Sequence, residues 1–136
     1  MLPSTVFANL STDAVTSPNY PSNYEHDLEC TWSIQVASGL VGHIVKVTFN
    51  NWQLGHYSGD ELRFYDGSSN ASNILGFYCG TVHPEVLYST GQHLYVKFYT
   101  DQRNTDKGFG LSISAVAKGN LFTIFSGYFS PSKSPS

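Results

Sequence analysis

The chain of 136 residues, 40% of them hydrophobic, is long enough to fold as one domain around its own apolar core without metal or disulfide support. Charged residues make up only 12%, about half the usual share, and the net charge is −3. The seven Lys and Arg residues are scattered, which argues against a nucleic-acid surface, and the small net charge argues against a disordered acidic tail. No apolar run approaches the roughly eighteen residues of a membrane span. The opening MLPSTVFANLS has neither the basic region nor the apolar length of a secretory signal.

Taken in order, residues 1 to 16 carry a weak alternation, Val6, Ala8 and Leu10, that predicts a first strand at a sheet edge. Ser17 to Tyr24, SPNYPSNY, holds two prolines that remove backbone donors and restrict their neighbours. It reads as a crossover anchored by the rings of Tyr20 and Tyr24. From Cys30, Trp32, Ile34 and Val36 alternate with Thr31, Ser33 and Gln35, and a second strand runs from Ile44 to Phe49. Leu62 and Phe64 alternate with Arg63 and Tyr65 before the turn Asp66-Gly67. Ile74 to Cys79 is a short apolar segment, and residues 81 to 91 read as connection. Leu94, Val96 and Phe98, then Phe109, Leu111 and Ile113, repeat the alternation around a polar loop, Thr100 to Lys107.

Short alternating strands with turn signals and no helical period predict an antiparallel β-sandwich. Its expected core is Trp32, Phe49, Phe64, Leu94, Val96, Phe98, Phe109 and Leu111. Loops on such a scaffold carry function more often than strands do, which directs attention to His56 through Asp60. Catalysis finds no support: there is no G-x-S-x-G elbow, H-E-x-x-H or P-loop, and the five histidines lack metal-ligand spacing. Asp60 and Glu61 are adjacent at a strand start, so they point to opposite faces and make a poor general acid and base pair. Asn9 in Asn-Leu-Ser and Asn70 in Asn-Ala-Ser are glycosylation sequons.

SPNYPSNY, CTW followed by alternating Ser-Ile-Gln-Val, VTFNNWQL, DELRFYDG, LGFYCG, the Ser-Thr-Gly of 89 to 91, LYVKFYTD and GFGLSI, in this order, resemble the CUB domain over about residues 4 to 116. The resemblance implies a jelly-roll-like β-sandwich spanning 1–117, and an extracellular, non-catalytic binding module of the kind found in secreted proteases and receptors. It also implies a divergent member taken from a protein with several such modules. Many members bind calcium in loops at one end of the sandwich. Carried over by position, the ligands are Tyr24, Asp60 and Asp101, with Asn104 as a further polar contact, while Gly55 falls in the usual Glu slot. Calcium takes six to eight oxygens and several carboxylates, so the resemblance with that Glu missing implies weak or absent calcium binding and no required cofactor.

The family pairs four cysteines, first with second and third with fourth, and Cys30 and Cys79 match the second and fourth. Cysteine arithmetic alone would join them. By the resemblance they belong to different bridges, which predicts two unpaired thiols. Residues 118–136 either open a following module or form a Ser/Pro linker.

Two functional expectations follow. In the first, a protein ligand with basic side chains meets an edge formed by His56, Tyr57, Asp60, Asp101 and Arg103, with no nucleic acid involved and with other modules of the same type in the parent protein. In the second, a carbohydrate stacks on exposed Trp52, Tyr57, Tyr95 or Tyr99; Trp52 discriminates between them, because burial against Phe49 removes the best sugar platform.

Overall fold

The computed structural model describes residues 3–55, 59–103 and 105–119. Among them nine strands form two facing sheets: β1 (Ser4–Ala8), β2 (Asp13–Thr16), β3 (Glu29–Val36), β4 (His43–Gln53), β5 (Glu61–Tyr65), β6 (Ile74–Tyr78), β7 (Val86–Tyr88), β8 (His93–Tyr99) and β9 (Gly108–Ala117). One sheet has the order β1-β3-β8-β5-β6 and the other β2-β9-β4-β7. Among the described residues, no helix is long and apolar enough to cross a membrane.

Period-two alternation dictates the core. Register partners share a face, so Ile34 with Leu94, and Phe64 with Val96, point inward from the first sheet. Val45 with Ala115, Val47 with Ile113, and Phe49 with Leu111 answer from the second. All of these are buried, and each large side chain contributes about 1.5–3 kcal/mol by leaving water. Of the expected core only Trp32 remains half-buried, its ring edge-on to Phe109 at 5.9 Å.

Four features depart from the sequence reading. All pairings are antiparallel except β1 with β3, which is parallel. Parallel neighbours need a long crossover, and here the chain between them passes through β2 in the opposite sheet and the 17–28 crossover. Leu10 lies beyond β1 and is exposed, while β2 begins three residues later. The stretch 81–91 is not all connection, since β7 pairs there with Lys46 to Thr48. A bulge between Phe49 and Asn51 is the fourth departure. It adds one residue to β4, so Phe49 and Trp52, an odd number apart, both face inward, and their rings lie 5.7 Å apart.

Candidate functional site

The crossover from β2 to β3 is fastened before it reaches the site. Ser17 N–H donates to the Phe109 carbonyl at 3.1 Å, and Phe109 N–H donates back to Ser17 Oγ at 3.0 Å. This reciprocal pair presses Ser17 onto Gly108, where a Cβ would collide with the serine side chain and where φ is +91°. Only glycine fits there. Tyr24 is then held by its N–H to the Asp106 carbonyl, 3.1 Å, and by its ring edge-on to Phe98 at 5.1 Å.

From that position the Tyr24 hydroxyl donates to Asp60 Oδ2 at 2.6 Å and accepts from Gly55 N–H at 2.9 Å. Asp60 Oδ1 accepts Asp101 N–H at 2.9 Å. Asp101 continues the chain of bonds outward: Oδ2 accepts from Gly59 N–H at 2.6 Å and Oδ1 from Arg103 N–H at 2.9 Å. Residues from β4's end, β5's start, the crossover and the loop after β8 are thereby joined through two carboxylates. Burial, then the bond to Asp60, raises the Tyr24 phenol well above its ordinary value, so the ring stays neutral and keeps its proton on the bond. Donation by Arg103 N–H, and next by Gly59 N–H, lowers the Asp101 carboxyl below its ordinary range and keeps it charged.

The structure therefore brings Tyr24, Asp60 and Asp101 together and gives the two acids different stations. Asp60 is 0% exposed and is the internal bracket of the edge, its carboxylate facing the Tyr24 hydroxyl and the Asp101 N–H. Asp101 is half-exposed, and Arg103 is exposed beside it. His56, Tyr57 and Asn104 lie outside the described residues. Sequence reasoning missed Thr100, which is buried, accepts from Leu28 N–H at 2.7 Å and donates to the Glu25 carbonyl at 3.0 Å. Its place directly before Asp101 was the available signal.

As donors for calcium, these residues supply two carboxylates, and all four of their oxygens already accept a hydrogen bond. No group of three or more His, Cys, Asp or Glu suited to a metal occurs among the described residues. Gly55 presents its N–H to Tyr24 where a carboxylate side chain is lacking. Within the described residues this set thus offers calcium two carboxylates, with Gly55 in place of a third.

Trp52 is half-buried, packs against Phe49 and, at 6.2 Å, Phe109, and donates its indole N–H to the Gly80 carbonyl at 2.8 Å. Its ring is part of the wall of the core, so it offers no free platform to a sugar. Tyr95 stacks edge-on to Tyr65 at 6.2 Å, and Tyr99 is exposed on the same outer face. Cys30 is half-buried on β3 and Cys79 is exposed just after β6, both as thiols; burial raises the Cys30 thiol above its ordinary value. Strands β8 and β5 lie between them, roughly 14 Å at about 4.8 Å per strand, which is beyond the reach of a disulfide.

This arrangement of crossover, bracket and sandwich defines an all-β module whose loops meet at one end. A family model for the CUB domain matches residues 5–113, and the chain belongs to that family. It is 37% identical over 108 residues to mouse Tolloid-like protein 2, covering 77% of this chain and 10% of that protein. It is 35% identical over 123 residues to human cubilin, covering 85% of this chain and 3% of that protein. The chain thus spans a tenth or less of these relatives. Among solved structures, the full extracellular region of zebrafish Gpr126/Adgrg6 matches with a TM-score of 0.68 and 31% identity, over 85% of this chain and 15% of that one. The MASP-1 CUB2 domain bound to Ca2+ matches in fold, with a TM-score of 0.64 and 24% identity, over 82% of this chain and 98% of that one. CUB domains are in general extracellular protein-interaction modules without catalytic function.

Proposed function

We propose that this domain is an extracellular, non-catalytic protein-interaction module whose ligand edge is built on Asp101, with Asp60 as the internal bracket that orients it. The observation that carries the reading is the Asp101 carboxylate itself: half-exposed, held charged by two backbone N–H groups, and fixed from beneath by Asp60. A pre-oriented carboxylate at a loop edge suits a Lys or Arg side chain of a partner protein, since charge-assisted bonds are about twice as strong as neutral ones. The extracellular setting is supported by the likeness to the Gpr126 extracellular region, and the exposed Asn9 and Asn70 are the expected glycan carriers. Calcium binds weakly or not at all, and no cofactor is required. The solved MASP-1 CUB2 domain is bound to Ca2+, but here the ligand count is two carboxylates with Gly55 beside them.

The test is an amide-resolved NMR titration of the domain with an acetylated, amidated Gly-Lys-Gly peptide, with and without calcium. Perturbations are expected at Gly59, Asp101 and Arg103 and are expected to weaken several-fold in Asp101→Asn. Perturbations centred on Glu61 and Glu29, or unchanged in the variant, would overturn the reading. Calorimetric titration with calcium alone is expected to give no constant tighter than about 1 mM, and micromolar affinity would reject the weak site.

A further inference from the structure

Two grooves mark the outer faces of the sandwich, and they differ in how their polar groups are used. The one on the five-stranded sheet, about 230 Å3, is lined by Glu61, Arg63, Tyr65, Lys97 and Tyr99. Its charges are already spent on ion pairs: Arg63 with Glu61 at 2.7 Å, and Lys97 with Glu29 at 3.1 Å. Arg63 also lies over the Phe77 ring at 5.8 Å. A ligand entering there would have to break these contacts.

The second groove, about 370 Å3, lies on the four-stranded sheet and is lined by Tyr20, Asn51, Gln53, Lys107 and Gly108 among others. The bulge before Asn51 makes it. By register Asn51 faces the same side as Gly110, and Gln53 the same side as Gly108, with Trp52 turned inward between them. Both glycines are buried beneath neighbouring side chains: Ser17 lies over Gly108, and the Tyr20 ring lies against Gly110, 3.6 Å from where a Cβ would stand. Asn51, Gln53 and Lys107 are exposed, and Tyr20 is half-buried. Within the described residues, the side chains of these four make no hydrogen bond or ion pair, in contrast to those of the first groove. The groove thus offers an aromatic ring, two amides that each donate and accept, and one uncompensated ammonium, around a space at the lower end of small-ligand sites.

We infer that this groove is a binding site for an acidic saccharide unit, a pyranose ring bearing a carboxylate. A sugar presents neighbouring hydroxyls that pair with amides in both directions, C–H groups that lie against a tyrosine, and a carboxylate that meets Lys107. The apolar part of the lining is the Tyr20 ring, the exposed Pro21 and the half-buried Trp52, set among the two amides and the ammonium. The site is separate from the protein-binding edge, though it adjoins it: the Tyr24 ring edge lies beside Gly108 while its hydroxyl reaches Asp60.

The experiment is NMR titration of the full chain with sialyllactose and, as the neutral comparison, lactose. Perturbations are expected at Asn51, Gln53, Lys107 and Gly108, with a dissociation constant on the order of 1 mM for sialyllactose and weaker binding of lactose. Lys107→Glu should weaken sialyllactose binding about tenfold and leave the lactose response as it was, and the double variant N51A/Q53A should remove both. Asp101→Asn should leave both unchanged, which separates failure of this site from failure of the protein-binding edge. Equal binding of the two sugars, perturbations at Arg63 and Lys97 instead, or no response up to the solubility limit of the probe would each overturn the inference.

Discussion

Strand β5 has an aspartate just before it and another just after, and the two accept the same kinds of bond. Asp60 takes a hydroxyl, Tyr24 Oη–H at 2.6 Å, and a backbone N–H, that of Asp101 at 2.9 Å. Asp66 takes a hydroxyl, Thr90 Oγ1–H at 2.6 Å, and a backbone N–H, that of Thr90 at 3.0 Å. Burial distinguishes them, since Asp60 is fully buried and Asp66 half-exposed. At the Asp66 end water can replace a lost partner, and the loop is also held by Ser89, which exchanges bonds with Val45 at 2.9 and 3.0 Å. At the Asp60 end nothing replaces it. The same two bonds therefore brace a loop at one end of β5 and determine whether the other end keeps its shape.

The largest way to break this comparison is Asp60→Ala. It strands the Tyr24 hydroxyl and the Asp101 N–H in a buried place and leaves a cavity, at an expected cost of about 3–5 kcal/mol by urea denaturation. Equal loss in Asp60→Ala and Asp66→Ala would show that burial does not set the difference. Tyr24→Phe removes only the hydroxyl that donates to Asp60 and accepts from Gly55, with an expected cost of about 2 kcal/mol. It carries a second signature. Because the folded phenol lies above its ordinary 10.0, the unfolded chain ionises first, so stability present below about pH 10 is lost as pH rises beyond it. Tyr24→Phe should flatten that alkaline decline, and an unchanged decline would place its cause elsewhere.

How much of this was legible in sequence depended on length and burial. The strands over 30–36, 44–49, 62–65, 94–98 and 109–113 announced themselves because each is long enough for several alternations. Strand β2 has one buried residue, Val15, and β7 has three residues in all, so neither can display a period. The β4 bulge breaks the period by design, and with it the facing of Trp52 and of the groove residues Asn51 and Gln53 became unreadable. Tyr24, Asp60 and Asp101 are 36 and 41 residues apart, so only the ordered family motifs could bring them together. The burial of Asp60 had no local signal at all: Gly-Asp-Glu reads as a solvated loop, and what encloses it arrives from the crossover and the 100–106 loop.

Asp66→Ala sharpens the comparison from the milder side. It should cost about 1–2 kcal/mol, because Thr90 is left facing solvent and Ser89 keeps its bonds to Val45. The smallest effect is expected where the bracket meets water, at Asp101. Its folded value is lowered below 3.8 by the N–H groups of Arg103 and Gly59, so the unfolded chain takes up the proton first as pH falls. The stability it contributes is present above about pH 4 and is lost as pH falls through the lower folded value. Asp101→Asn has no such titration, so the gap between wild type and variant should be open near neutral pH and close as pH falls through the lowered folded value, read from urea midpoints across the acid range. A gap that persists in acid would mean that Asp101 acts by shape rather than charge. The ligand edge would then owe its orientation to Asp60 alone.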